Sequence, residues 1–174
     1  AEHLAKLGFA IAFPVIEQGE KYPADAFLNL CICGERVFYN PKTTEKSIVD
    51  YLTIERGKQP LIVKQGYSKC SVCVLNENAI ITSDSGIHKR AVGAGFESLL
   101  ISQGFIVLPG FDYGFIGGSA FMLNKHEIAF TGHLNYHPDK DLILNFLGLH
   151  NVKAVYITEK PVFDIGSGIQ IVEK

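Results

Sequence analysis

The sequence predicts an α+β protein assembled from repeated β-β-α-β units, and three observations carry that prediction. Tyr22, Tyr67 and Tyr113 recur at a period of about 45 residues. Each opens the same succession: an alternating apolar run, a tight polar turn, a second apolar run, a helical stretch and a short β-branched run. Gly, Asn and Asp fall between these runs, where turns and helix ends need them. A period in this range marks supersecondary units too small to bury an apolar face alone, so neighbours must stack.

Taken in order, Ala1 to Gly8 reads as the end of a helix, with His3, Leu4 and Leu7 on one face and Gly8 as its stop. Phe9 to Phe13 reads as a strand. Because a domain seldom starts on half a unit, further N-terminal sequence is expected to belong to the fold. In the first full unit, Ala26 to Cys33 is a strand, Gly34-Glu35 a turn and Val37 to Tyr39 the return strand. Thr43 or Thr44 caps a helix to about Arg56, with Ile48 and Leu52 on one face and Gly57 as its stop, before a strand at Leu61-Ile62-Val63.

In the second unit, Ser71 to Leu75 and Ala79 to Thr82 form a hairpin around Asn76-Glu77-Asn78. Asp84 or Ser85 caps a short helix that Gly93 and Gly95 end, and Leu99-Leu100-Ile101 is the next strand. The repeat proper ends near Gly104, and Phe105 to Asp112 is an extra segment. In the third unit, Ser119 to Leu123 pairs with Ile128 to Phe130 across Asn124-Lys125-His126. Pro138 suits a first helical turn, with Leu142, Phe146 and Leu149 on one face. Val152 to Ile157 is the third strand, and a fourth unit starts at Phe163 with only its first strand, Ile169 to Val172. The expectation is one domain over 1–174, with units at 22–66, 67–112 and 113–161 and partial units at 1–16 and 162–174.

Composition narrows the function classes. The chain has 174 residues, 47% of them hydrophobic and 20% charged, enough for one well-cored domain. With a net charge of -2 and scattered Lys and Arg, it lacks the basic stripe that phosphate neutralisation needs, so nucleic acid is not an expected partner. Apolar runs are short and broken, so no membrane span is expected, and no export signal is legible. The four cysteines are read as free thiols in a reducing cytosol, which makes the expected location cytoplasmic.

Three passages carry a family likeness: Gln65-Gly66-Tyr67-Ser68-Lys69-Cys70-Ser71, then Gly114-Phe115-Ile116-Gly117-Gly118-Ser119 with Phe130-Thr131-Gly132, then Phe163-Asp164-Ile165-Gly166-Ser167. Together with the repeat they resemble a clostridial-type family of uncharacterised proteins with the guanidino-group-modifying-enzyme fold. That fold is the pentein, a β/α-propeller of β-β-α-β units around a pseudo-fivefold axis, also found in translation initiation factor six. The likeness runs from about Tyr22 to the C-terminus and implies one further N-terminal unit. It also implies a central channel with working residues at the starts of inner strands, around Cys70, Gly117-Gly118 and Asp164 to Gly166.

Guanidino-modifying chemistry uses a thiolate that attacks the planar guanidinium carbon, and Cys70, between Lys69 and Ser71, is the candidate nucleophile. Catalytic members of this fold carry that cysteine in the last unit, whereas here no cysteine follows Cys73. His133 and His137, on a loop between strand and helix, are the candidate proton carriers. Asp112 and Asp164 occupy matching positions after Phe111 and Phe163 and would clamp a cation; Asp84 is a third carboxylate, with helix capping as its other reading. Gly117 and Gly118 would let a ligand approach the backbone or would relieve crowding at the axis. Asn135 adds adaptable hydrogen bonding.

Cys31, Cys33 and Cys73 read as core residues, the first two on one strand face. A zinc reading of Cys-x-Cys with Cys-x-x-Cys is set aside, because both halves lie in expected strands rather than knuckle turns. No metal and no cofactor are expected. Two functions remain in contention. One is a cysteine-dependent hydrolase or amidinotransferase acting on a small guanidino or amidino compound. The other is a non-catalytic binding protein of the same fold.

Overall fold

Each apolar run that meets a polar turn folds back as a hairpin, and each hairpin gains a third strand through a helix. A computed structural model of the chain describes residues 2–11 and 19–171. In the first sheet, β1 (Cys31–Cys33) pairs antiparallel with β2 (Arg36–Tyr39), and β2 pairs parallel with β3 (Gln59–Ile62). Gly34 makes the turn at φ +53°, a left-handed backbone that glycine adopts without cost to a side chain. The second sheet repeats the pattern with β4 (Cys73–Asn76), β5 (Ala79–Thr82) and β6 (Glu97–Leu100), and the third with β7 (Ala120–Asn124), β8 (Glu127–Phe130) and β9 (Lys153–Tyr156). The architecture is mixed α+β with small sheets.

The crossover helices are α2 (Lys46–Asp50), α4 (Ser85–Gly93) and α5 (Lys140–Leu149). Asp84 caps α4 by accepting the Ile87 N–H at 2.8 Å. Further N-terminal, α1 (Glu2–Lys6) ends at Gly8, whose φ is +87°.

Two apolar cores hold the sheets together, and β5 serves both. All four of its residues are buried. Ile80 faces a cluster with Phe38, Leu61, Val72, Ile87 and Phe96, while Ile81 faces one with Ile116, Phe130, Leu134, Ile143 and Leu147. A strand covered on both faces reads as a continuous apolar run, which is what Ala79-Ile80-Ile81 is. Each such side chain contributes about 1.5–3 kcal/mol on burial. Cys31, Cys33 and Cys73 belong to these cores, and burial pushes all three thiols up to about 12.

The structure departs from the sequence expectations at several element ends. Of the strand expected over Ala26 to Cys33, only the last three residues pair, because Ala24–Ala26 form a 3-10 turn. The strand expected from Ser71 begins at Cys73, because α3 (Ser68–Ser71) takes up its start. A 3-10 turn at Ile116–Gly118 precedes β7 in the same way. Glu45 rather than Thr43 or Thr44 caps α2, which continues into a π-helical turn at Tyr51–Glu55. On α5 the buried stripe is Ile143 and Leu147, while Leu142 and Leu149 are exposed. This helix is apolar around most of its girth, so contact with Phe130 and Leu134, not periodicity, selects the buried side. Residues 9–11 and 169–171 are not in strands. The remainder of those two expected strands, at Ala12, Phe13 and Val172, lies outside the described residues.

The segments before β1, β4 and β7 gather at one end of the molecule. There α3 packs against the Ile116–Gly118 turn and against β1 and β2, and β4 lies beside β7.

Candidate functional site

At this gathering point the side chain of Asn29 completes a neighbouring helix. Tyr67, at the head of α3, offers no side-chain cap. Asn29 Oδ1 instead accepts the N–H groups of Lys69 at 2.7 Å and Cys70 at 3.2 Å, filling a need that every helix start leaves. The same amide donates from Nδ2 to Cys70 Sγ at 3.0 Å, and the thiol donates to Gly166 O at 3.0 Å. Three stretches far apart in sequence thus converge on one sulfur. Burial pushes the Cys70 thiol up and Asp164 adds to the rise, while Asn29 and Lys69 pull the other way.

Successive units are stitched by backbone and carboxylate contacts. Lys69 Nζ reaches Gly117 O at 3.5 Å. A Cβ on Gly117 would land on the carbonyls of Val72 and Lys69, and one on Gly118 on the Asp164 carboxylate. Asp164 is buried. Its Oδ2 accepts from Phe115 N at 2.8 Å and its Oδ1 from Gly166 N at 2.7 Å. Ile165 N donates to Gly118 O, and Asp164 N to Val107 O. Both carboxylate oxygens are therefore occupied by backbone donors, and both glycines are occupied by close packing.

Beside this corner runs a row of aromatic rings. Tyr22 and Tyr67 have ring centroids 5.7 Å apart, Tyr67 and Phe115 5.9 Å, and Phe115 and Tyr113 6.1 Å. The three tyrosines are the residues that open the three units. Tyr67 donates its hydroxyl to Asp25 Oδ2 at 2.7 Å, and its pKa is pushed up to about 12, by burial first and by Asp25 next. The Tyr22 ring lies against Gly66, where a Cβ would meet it at 2.7 Å.

The sequence-predicted site residues divide into two groups. Cys70, Asp164, Gly117 and Gly118 come together. His133 and His137 do not join them. His133 stacks on Tyr156 with centroids 3.9 Å apart, and its Nδ1 accepts from Asn135 N at 3.1 Å. Asn135 is exposed, and its Oδ1 takes Lys140 Nζ at 2.6 Å. His137 is buried beside Phe105, with Nδ1 accepting from Asp139 N at 3.1 Å. Its Nε2 is buried without a partner among the described residues, and burial holds its pKa below the usual imidazole value. Asp112 is exposed, and Asp84 is the α4 cap. Asp112 and Asp164 therefore differ in setting, one exposed and one buried, despite their matching sequence context.

Sequence reasoning passed over Asn29, Asp25 and Phe115 as site residues. For the tyrosines the signal was present: the residues that mark the period are those that line up. Among the described residues no cluster of His, Cys, Asp and Glu could hold a metal ion. No helix among them is long and apolar enough to cross a membrane.

The sequence pattern of DUF6873 extends over residues 1–169, nearly the whole chain. The chain belongs to this family of unknown function. None of the curated proteins matches it. Among solved structures, an agmatine deiminase from C. jejuni resembles it at 13% identity and a TM-score of 0.40, over 71% of this chain and 44% of that enzyme. The chain thus spans less than half of that enzyme's length, and at this TM-score the likeness decides neither fold nor activity.

Proposed function

We propose that this member of DUF6873 is a non-catalytic binding protein with a pentein-like β/α-propeller arrangement, and that its pole receives a small guanidino or amidino cation. The observation that carries the reading is the aromatic row from Tyr22 through Tyr67 and Phe115 to Tyr113, with the Asp25 carboxylate bonded to the Tyr67 hydroxyl. Ring faces and a carboxylate are the two groups that hold a planar organic cation. Support for a propeller comes from three sheets of identical strand order and from contacts that step from Asn29 to Cys70, from Lys69 to Gly117 and from Gly118 to Ile165, with Gly166 returning to Cys70.

The absence of covalent chemistry is proposed on the state of Cys70. Its thiol is protonated at neutral pH, donates to a carbonyl, and receives no bond from either histidine. A second reading, a cysteine-dependent guanidino hydrolase or transferase, draws on the Asn29 amide that donates to the sulfur and favours its thiolate.

Titration of guanidinium and of arginine amide against tyrosine fluorescence tests the first reading; the chain has no tryptophan to mask the signal. Saturable quenching that Asp25→Asn weakens about tenfold is expected, the size of a charge-assisted hydrogen bond. Quenching that is absent, or unchanged in Asp25→Asn, overturns it. Native iodoacetamide labelling of Cys70 separates the second reading: labelling that rises only at alkaline pH is expected, and fast labelling at pH 7 that Asn29→Ala slows would establish an activated nucleophile instead.

A further inference from the structure

Away from the aromatic row, two adjoining hollows lie where β3 meets α4. The larger encloses about 500 Å³ between Ile62 and Val63 on one side and α4 on the other, with Lys64, Lys89 and Arg90 around it. The smaller, about 320 Å³, shares Lys89 and Arg90 and adds Arg36, Pro60 and Leu61. The larger has the size and character of a small-molecule site, mostly apolar with a few convergent polar groups, and the smaller is more polar.

Four cations thus surround an apolar crevice in a chain of net charge -2. Arg90 Nε donates to Ile62 O at 3.1 Å, which fixes the guanidinium over the crevice and leaves its terminal nitrogens. None of the four pairs with a carboxylate among the described residues. Asp84, the one acid in the lining, already receives Ile87 N on Oδ1 and Gln65 Nε2 on Oδ2.

The next unit shows that the fold does not require these groups. Arg36 and Ala79 head matching parallel pairs, opposite Gln59 and Glu97, and Lys64 and Ser102 follow matching strands. The buried pair Ile87 and Ala91 of α4 matches Ile143 and Leu147 of α5, which sets Lys89 against Asn145 and Arg90 against Phe146. The same alignment sets Gly86 and Gly93 against Leu142 and Leu149. Glycine weakens a helix, and a Cβ on Gly93 would meet nothing within 4 Å, so packing does not demand it there. Gly86 lines the larger hollow and Gly93 the smaller, and neither puts a side chain into it.

We propose that the β3–α4 crevice binds a small amphipathic anion, an apolar body carrying a carboxylate or phosphate head. The body lies against Ile62 and Val63, and Lys64, Lys89 and Arg90 hold the head. This site is independent of the cation site at the aromatic row and shares no residue with it.

Displacement of 8-anilinonaphthalene-1-sulfonate, followed by fluorescence on the full chain, tests the proposal. Sulfonate fluorescence is expected to rise on binding. Decanoate or octyl phosphate should displace it, the stronger of the two identifying the head, and decyltrimethylammonium should not. The double variant K64Q/K89Q should weaken binding about tenfold, as loss of two solvent-facing charge contacts predicts. G86L, which places in the larger hollow the side chain that α5 carries at Leu142, should abolish binding. Absence of the fluorescence rise, equal displacement by the cationic amphiphile, or full affinity in K64Q/K89Q overturns the proposal. If circular dichroism shows that G86L does not fold, the K64Q/K89Q result decides alone.

Discussion

Cys70 and His137 are both buried and both carry reactive chemistry, yet their surroundings are built in opposite ways. The Cys70 sulfur and amide both find partners, and those of the sulfur come from positions 41 and 96 residues away. Around His137 the Nδ1 bond is local, from the amide two residues on, while Phe105 and the Ser102 backbone approach it from an earlier segment. The first setting is made by three distant stretches bonding to one sulfur; the second is made by a local Nδ1 bond with the 102–105 segment packed against the loop. A group locked by distant partners resists change in any of them, whereas a group held locally tolerates replacement by a ring of similar shape.

The largest effect that would test this contrast is Gly117→Ala. Its Cβ would meet the carbonyls of Val72 and Lys69, backbone on either side of Cys70, so a loss of about 3 kcal/mol or more is expected in urea denaturation. Asn29→Ala removes the acceptor for two N–H groups and the donor to the sulfur. A loss of about 2 kcal/mol is expected, and a change below about 0.5 kcal/mol would show that the convergence on Cys70 carries little energy.

The buried thiols of the cores and His137 should also separate on opposite sides of neutral pH. Cys31, Cys33 and Cys73 have folded pKa values raised from 9.0 to about 12. Their contribution to stability is complete below pH 9 and is lost as pH rises toward 12, because the unfolded thiols release protons first. The melting temperature should fall across that window, and less steeply in Cys73→Ala. For His137 the folded pKa lies below 6.5, so its contribution is present above that value and declines as pH falls through the depressed one. His137→Phe removes the unpartnered Nε2 and the titration together. Its stability at pH 7 should change by less than about 1 kcal/mol, and the dependence below pH 6.5 should flatten. A large loss at pH 7 would mean that the bond to Asp139 N, not burial, is what His137 supplies.

How much of this was legible depended on how local each cause is. The Asp84 cap, the Gly34-Glu35 and Asn76 to Asn78 turns, and the burial of Cys31 and Cys33 follow from spacing within a few residues, and the structure has them. The buried face of α5 was not legible, because Leu142, Ile143, Leu144, Phe146, Leu147 and Leu149 offer more than one apolar stripe. Nor was α3 legible, because its start is completed by Asn29, an acceptor from another unit. Pairing Cys70 with His133 or His137 presumed that loops from different units aim at one point. The structure gives those histidines partners within the third unit and its neighbours, at Tyr156, Asn135, Asp139 and Phe105.

Along β3, Gln59 and Val63 direct their amides to Glu35 and Tyr39 on the β2 side, which turns Pro60 and Ile62 toward the free margin of the first sheet. Proline has no amide hydrogen to offer there, and the Ile62 carbonyl is already taken by Arg90. A second chain seeking to extend this sheet would find its ladder interrupted at two consecutive outward positions. The margin is therefore guarded against fibril-type self-association, and replacing Pro60 and Arg90 together would remove the guard.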